Sequence, residues 1–567
     1  MLKNRNFLPE KLEVSNWQSI ETFYQNLLDR NISDAGELRA WFRDRSELES
    51  MLAEDLAWRY IRMTCNTADE VLQESFNTFV SEIQPQATQF TYLLNKKCLQ
   101  ISFLEDLEKQ EPAFRIMLRS LRKQAEIFRE ENIPLQTELQ IKEREYGMIA
   151  GAMTVNIDNQ EITLQQAGNF LESPDRKKRE EVYFAIQNRR LEDSEKLDNL
   201  LSELIQLRHQ IAQNAGFKNY RDYAFAALGR FDYSPKDCFA FHEAVKTEVM
   251  PLVEELALER KQKMQLDKLK PWDLQADTEG LPALNVFENS QELIDKTIAC
   301  FDDLDIFLGN CLRTMQAMKH LDLDSRKNKA PGGYNYPLAE SGYPFIFMNA
   351  TSNLRDLTTL LHEGGHAVHS VLCKDLEINA FKEPPAEVAE LASMSMELIT
   401  LLFWHHFFKD SQELQRAKKE HLEDILNVLP WIACIDKFQH WLYENPSHSH
   451  TERQSAWLGI YDEFSPKVIN WENAEKFKAY HWQKQLHLYE VPFYYIEYGF
   501  AQLGAIAVWR NCQIDLKNGL KHYLDALSLG YMRSIPEIYE TAQVRFEFSS
   551  SYIAELVEFV KKELNNM

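Results

Sequence analysis

Glycine and proline are scarce in this chain, at 18 and 19 of 567 residues, which argues against disorder and leans the fold toward helix. Basic residues are in deficit as well. The 63 lysines and arginines face 87 aspartates and glutamates, for a formal net charge of -24, and a nucleic-acid binder would need the opposite balance to neutralise phosphates. A cationic or neutral ligand fits better. No apolar run approaches the roughly 20 residues that cross a bilayer, so no membrane partner is expected. The opening "MLKNRNFLPEKLEVSNW" is charged, without the apolar core or small-residue cleavage site of a signal peptide. The expectation is a soluble, cytoplasmic protein. Its eight cysteines (Cys65, Cys98, Cys238, Cys300, Cys311, Cys373, Cys434, Cys512) form no CxxC pair, which speaks against a zinc ribbon or a disulfide framework and for reduced core residues.

What is present suits a large globular core, with 44% hydrophobic and 12% aromatic residues. Between 15 and 135, apolar residues return every three or four positions in stretches such as "SELESMLAEDLAWRYIRMTCNTADEVLQESFNTFVSEI". That spacing predicts a helical N-terminal region. Near 150, "MTVNID" and "EITL" flank "NQ" and predict a short hairpin. Long helices then run to about 320, interrupted by "KLKPWDLQADTEGLP". The stretch "NKAPGGYNYPLAESGYPFIFMNATSN" predicts a loop and a strand, and from 354 onward the chain reads as almost wholly helical.

Immediately after that strand comes "TTLLHEGGHAVHS". Residues four apart in a helix lie on one face, so His362 and His366 can grip one metal ion, while Glu363 is rotated about 100° from His362. This is the H-E-x-x-H zinc pattern, whose glutamate takes a proton from the water that the metal activates. Chance would place roughly 0.06 such matches in a chain of this composition. The competing reading is a helix whose histidines satisfy buried hydrogen bonds. Gly364 and Gly365 each cost about 1 kcal/mol relative to alanine in a helix interior, so something must approach them closely: substrate, or a neighbouring backbone.

A catalytic zinc needs a third protein ligand. The segment "EPPAEVAELASMSMELITLLFW" offers Glu387, Glu390 and Glu397 on one stripe of an apolar helix that starts after Pro384 and Pro385. No lysine or arginine stands between Lys382 and Lys409 to compensate them, and a metal would supply the missing charge. Spacing alone does not choose among the three. Pairing with a distant arginine, or solvation, is the alternative. His405 and His406 in "FWHHFF", and His448 and His450 in "NPSHSH", lack ligand-spaced partners and read as structural or exposed.

The pieces "PGGYNYPLAESGYPFIFMN", "LLHEGGHAVHS", "AEVAELASMSMEL" and "HLYEVPFYYIEYGFAQLGA", spanning 331 to 505 in that order, resemble the thimet oligopeptidase and oligoendopeptidase F family of zinc metallopeptidases. The oligoendopeptidase branch, with Pz-peptidase, is the nearest in pattern. The resemblance implies a mainly α fold in two parts, an N-terminal helical region (1–180) and a catalytic region (181–567). These would enclose a deep substrate cleft, with a small β element before the H-E-x-x-H helix. It selects Glu390, in "AELAS", as the third ligand of one Zn²⁺ per chain, beside His362 and His366. Glu387, Glu397 and His369 become supports behind the ligands. It places His487 and the tyrosines Tyr494, Tyr495 and Tyr498 across the cleft as oxyanion donors, His487 and Tyr498 foremost. Gly332, Gly333 and Tyr334 would border the cleft and offer an edge to an extended peptide. The implied activity is hydrolysis of internal bonds in short unfolded peptides, collagen-like ones included, with Glu363 as general base. A zinc carboxypeptidase or dipeptidase, and a peptide-binding protein with structural zinc, are the rival classes.

Overall fold

The computed structural model describes residues 5–567, and among them are twenty-five α-helices and five short strands. The mainly α expectation holds. The strands are β1 (Thr154–Ile157), β2 (Gln160–Thr163), β3 (Leu321–Asp324), β4 (Tyr334–Tyr336) and β5 (Phe345–Ala350). All eight cysteines are free thiols, seven of them buried. No helix among the described residues is long and apolar enough to cross a membrane.

The chain falls into two compact units, each assembled from three separated stretches. The first comprises the N-terminal residues through Ala125, Asn285–Leu414 and Gly504–Phe546. Its long helix Ala35–Cys65 opens on Asp34, whose carboxylate accepts from the Glu37 amide and so satisfies one of the free N–H groups of the first turn. Trp41 and Leu48 of this helix are fully buried with Ile20, Leu27 and Leu94. Farther along, its Ala57 and Ile61 pack against Phe345 and Phe347 of β5. β5 is central, parallel to β3 and antiparallel to β4. β4 therefore has a free edge, with main-chain groups that pair with no other strand.

β5 leads into the helix Leu354–Cys373, whose start is fixed by reciprocal hydrogen bonds between Asn353 and Asp356. The helix Ala386–Thr400 begins directly after Pro385, as the proline pair predicts. These two helices carry the histidines and glutamates of the sequence motif.

The second unit comprises Glu126–Leu284, Gln415–Leu503 and Glu547–Met567. Its hairpin β1–β2 forms one residue earlier than expected. Ile157 pairs with Gln160, and the turn is Asp158 and Asn159, both at positive φ, 52° and 63°. A two-residue hairpin turn of this twist needs two such residues, and aspartate and asparagine tolerate the conformation. The 485–495 segment also departs from the expected continuous helix. It contains a single turn, His487–Glu490, and then Phe493 at φ 69°, so Tyr494 and Tyr495 precede the helix Ile496–Ile514. Buried side chains hold this irregular backbone. Arg208 donates to the Leu488 and Tyr489 carbonyls, Gln439 Oε1 accepts from the Phe493 amide at 2.7 Å, and Arg230 reaches the Phe493 carbonyl.

Candidate metal centre

In the first unit the imidazoles of His362 and His366 leave one helix face with ring centroids 4.9 Å apart. Glu390 Oε2, from the neighbouring helix, lies 3.3 Å from His362 Nε2 and 3.9 Å from His366 Nε2. The three donor atoms all fall within 4.8 Å of one another. Two donors each about 2.1 Å from a tetrahedral zinc stand about 3.4 Å apart. The set fits such a cation without rearrangement of either helix.

The stripe of three glutamates divides by function of position. Glu390 meets the imidazoles, and Glu397 Oε1 accepts from His362 Nδ1 at 2.7 Å. That bond keeps a proton on Nδ1, so Nε2, which faces Glu390 and His366, is the nitrogen that a metal would take in exchange for its proton. Glu387 is buried but does not join the cluster; its carbonyl accepts from Tyr539 Oη at 2.9 Å. Burial favours the neutral form of His362, but the carboxylates of Glu390 and Glu397 outweigh it and hold the imidazole well above its ordinary value. His366 is pushed down to about 4 by burial. Burial likewise pushes the Glu363 carboxyl up to about 7, which suits a group that takes and gives protons near neutrality. Its carbonyl accepts from Asn335 Nδ2 at 3.0 Å, a link from β4 to the motif helix.

The loss of the Glu397 carboxylate should free His362 to rotate and to change tautomer. Glu397→Ala is expected to weaken zinc affinity roughly ten- to a hundredfold, measured by competition with a chromogenic chelator. Unchanged affinity would remove Glu397 from this role.

The glycine pair meets protein, not open space. A Cβ on Gly365 would come within 2.6 Å of Ser393 Cα and 2.7 Å of the Ala392 carbonyl, and one on Gly364 within 2.8 Å of the Phe301 ring. Close helix packing is the reason for the glycines, and the substrate-approach reading is set aside. His369 is buried and bonds the Leu527 backbone, so it packs the helix against a following element. Tyr334 stacks on Phe347 at 4.7 Å and its hydroxyl bonds Thr64 Oγ1 at 2.6 Å; with its side chain so engaged, only its main chain can serve a peptide. Gly332 is at φ 93° with open space at its Cβ position, and Gly333 faces the Phe347 carbonyl. His406 gains an unexpected neighbour, Asp303, at 2.7 Å on the surface. His448 bonds Asn445 and Arg453, and His450 bonds Ser202, consistent with structural duty.

The second unit gathers His487 with its three tyrosines. The ring centroids lie 6.1 Å from Tyr494, 4.8 Å from Tyr495 and 6.0 Å from Tyr498. Two residues that the sequence did not single out orient the imidazole. Trp431 Nε1 can only donate, and it donates to Gln485 Oε1 at 2.9 Å. The amide nitrogen of Gln485 must then face His487, and donates to its Nδ1 at 2.6 Å. His487 therefore carries its proton on Nε2. Burial lowers its pKa to about 4, so it is a neutral donor at physiological pH. A glutamine two residues before the histidine was visible in "QLHLYE", but its partner Trp431 is distant in sequence.

Comparison with known proteins agrees with this architecture. Residues 169–291 and 307–558 match the model of peptidase family M3, and residues 7–128 match the peptidase M3 N-terminal domain. Oligopeptidase PepF of Bacillus subtilis is 22% identical over 71% of this chain and 61% of its own length. An oligoendopeptidase F homolog of Borreliella burgdorferi is 22% identical over 64% of this chain and 60% of its length. The match thus spans about three fifths of these curated relatives. Among solved structures, Pz peptidase A with an inhibitor superimposes with a TM-score of 0.89 at 26% identity over 99% of both chains. Oligoendopeptidase-F of Enterococcus faecium, at 15% identity and a TM-score of 0.63 over 97% of both, shares the fold. The fold is of a mainly α-helical class. The chain belongs to peptidase family M3.

Proposed function

We propose that the protein is a zinc-dependent oligoendopeptidase of the cytoplasm that cuts internal bonds of short unfolded peptides, collagen-like ones among them. The observation that carries this reading is the convergence of His362, His366 and Glu390 within 4.8 Å, with the Glu363 carboxyl on the same helix. Buried carboxylates without a lysine or arginine partner are costly, and a dication offsets that cost. Zinc bound there would supply a Lewis acid that polarises the scissile carbonyl and lowers the pKa of water.

The chain's own residues would do the rest. Glu363 accepts a proton from the attacking water at its carboxylate and passes it to the departing amide nitrogen. His487, through Nε2–H, and Tyr498, through its hydroxyl, donate to the oxyanion of the tetrahedral intermediate; Tyr494 and Tyr495 hold the imidazole between them. The free edge of β4, with Gly332, Gly333 and the Tyr334 main chain before and within it, pairs with an extended peptide irrespective of its side chains.

Mass spectrometry of a peptide mixture incubated with zinc-loaded protein, beside a chelator-treated control, tests the activity. Internal cuts that need the metal are expected. A ladder from one terminus would replace the endopeptidase with an exopeptidase, and no cuts would overturn the assignment.

The Trp431–Gln485 pair gives a second test. Gln485→Glu keeps the shape but offers His487 only an acceptor, which pulls the proton to Nδ1. A fall in kcat/KM of roughly tenfold or more is expected, together with the tautomer change read by ¹⁵N NMR. A tautomer change with full activity would exclude His487 as donor.

A further inference from the structure

The second unit holds a cluster of metal-binding side chains of its own. Cys238 and His242 stand four apart on the helix Pro235–Ala244, and Asp436 and His440 stand four apart on the helix Ser411–Glu444. Each pair therefore shares one helix face, and the two faces meet. Cys238, Asp436 and His440 offer a sulfur, a carboxylate oxygen and a ring nitrogen within 4.8 Å of one another, the same spacing that His362, His366 and Glu390 meet. All four side chains of the cluster are buried.

Protein alone satisfies these groups poorly. Both ring nitrogens of His440 are buried without a hydrogen bond, although Nε2 lies 3.3 Å from Asp436 Oδ2, and His242 Nδ1 is buried without one as well. The ion-pair partners of the Asp436 carboxylate among the described residues are the two histidines, with no lysine or arginine. Elsewhere in this unit a buried carboxylate has a guanidinium: Asp273 meets Arg179 and Asp198 meets Arg453, each at 2.9 Å. Idle buried nitrogens are rare in native structures and call for a reason. A divalent cation supplies one. It would take the idle His440 nitrogen and expel the Cys238 thiol proton to solvent, and the thiolate and the carboxylate would together offset its two charges. The buried complex is then neutral.

His242 has a different part. Its Nε2 is 2.7 Å from Asp436 Oδ2, closer than the roughly 3.4 Å that separates two nitrogen or oxygen donors on one tetrahedral zinc. It therefore holds the carboxylate, as the hydrogen-bonded supports of ligating groups do. The other carboxylate oxygen is engaged too: Gln439 Nε2 donates to Asp436 Oδ1 at 2.8 Å, while Gln439 Oε1 accepts from the Phe493 amide. We propose that Cys238, Asp436 and His440 form a second metal site, for a zinc-like divalent cation that accepts a thiolate, and that this ion pins the two helices together. The fourth position is left to water. The proposal is independent of the peptidase reading, since it shares no ligand with the H-E-x-x-H helix.

Cobalt(II) distinguishes the two sites, because a cobalt–thiolate bond absorbs strongly in the near ultraviolet and His362, His366 and Glu390 include no thiolate. The full-length His366→Ala protein, with the motif site disabled, is loaded with cobalt or zinc and dialysed. One bound metal per chain is expected, with the thiolate band for cobalt and a Tm that rises with zinc. Metal left on His362 and Glu390 would give no such band. Cys238→Ser in the same background should lose the band, and His440→Phe should lose the band, the metal and the zinc-dependent rise in Tm. Phenylalanine suits this position in the metal-free chain, since the His440 nitrogens make no hydrogen bond and the ring already packs against Phe225, Phe239 and Phe493.

Three results would overturn the proposal: His366→Ala protein that retains no metal, bound cobalt without a thiolate band, or a band that survives Cys238→Ser. In the first case the cluster is a hydrogen-bonded network centred on Asp436, and His440→Phe should then leave Tm unchanged or raise it, because no bond of the histidine is lost. If His440→Phe does not fold, Cys238→Ser decides by the same band and metal content.

Discussion

Exchange of Glu363 for glutamine is expected to lower kcat by about 10²–10⁴-fold, the contribution typical of a general base, while the zinc content stays that of wild type. The two effects separate because Glu363 stands beside the metal-binding atoms without belonging to them. The converging donors are His362, His366 and Glu390, and none of them hydrogen-bonds the Glu363 carboxyl. Its main-chain carbonyl accepts from Asn335, a bond that glutamine leaves in place. Glutamine also keeps the length and shape of this half-buried side chain. What it removes is the ability to take a proton, in a carboxyl whose burial has already brought it to about 7. Steady-state kinetics and elemental analysis on the same preparation check the claim. Activity within tenfold of wild type would exclude Glu363 as the base, and loss of zinc would show that it supports the metal instead.

The sequence made the helical class legible because the three-to-four residue recurrence of apolar positions needs no tertiary information. It made His362 and His366 legible for a related reason: four residues along a helix is one face, wherever that helix packs. Glu390 was different. Glu387, Glu390 and Glu397 share a stripe, and only the docking of one helix on another decides which carboxylate reaches the imidazoles. The family pattern selects Glu390, and in the structure Glu390 lies beside the imidazoles, with Glu397 behind His362 and Glu387 held at its main chain by Tyr539.

The tyrosines of "VPFYYIEYGF" show the opposite case. The sequence reads as continuous helix across them, but Phe493 adopts a left-handed conformation, stabilised by Gln439 and Arg230 from far along the chain. Local sequence does not carry that information. Nor does it carry the interleaving of three stretches into each compact unit, which depends on contacts several hundred residues apart.

Gly365→Ala should be the most damaging single-methyl change in the motif helix. In an open helix the substitution would stabilise by about 1 kcal/mol. Here the new Cβ would sit 2.6 Å from Ser393 Cα and 2.7 Å from the Ala392 carbonyl, atoms of a backbone that cannot rotate aside. Ala392 is further held by Tyr523, whose hydroxyl donates to its carbonyl at 2.6 Å. Relief must come from separation of the two helices. Overpacking of this kind costs about 1–3 kcal/mol, and it moves Ser393, whose hydroxyl donates to Glu390 Oε2 at 3.2 Å, and Glu390 with it. Glu390 would then recede from His362 and His366. The expected result is a lower Tm together with zinc affinity weakened by about tenfold or more.

Gly364→Ala is the internal control. Its Cβ would meet the end of the Phe301 ring, a side chain that can shift, on a face that does not carry Glu390. It should lose some stability and keep its zinc. Thermal melts and chelator competition on both variants distinguish the cases; native zinc affinity in Gly365→Ala would mean that helix approach at this residue does not set the metal site.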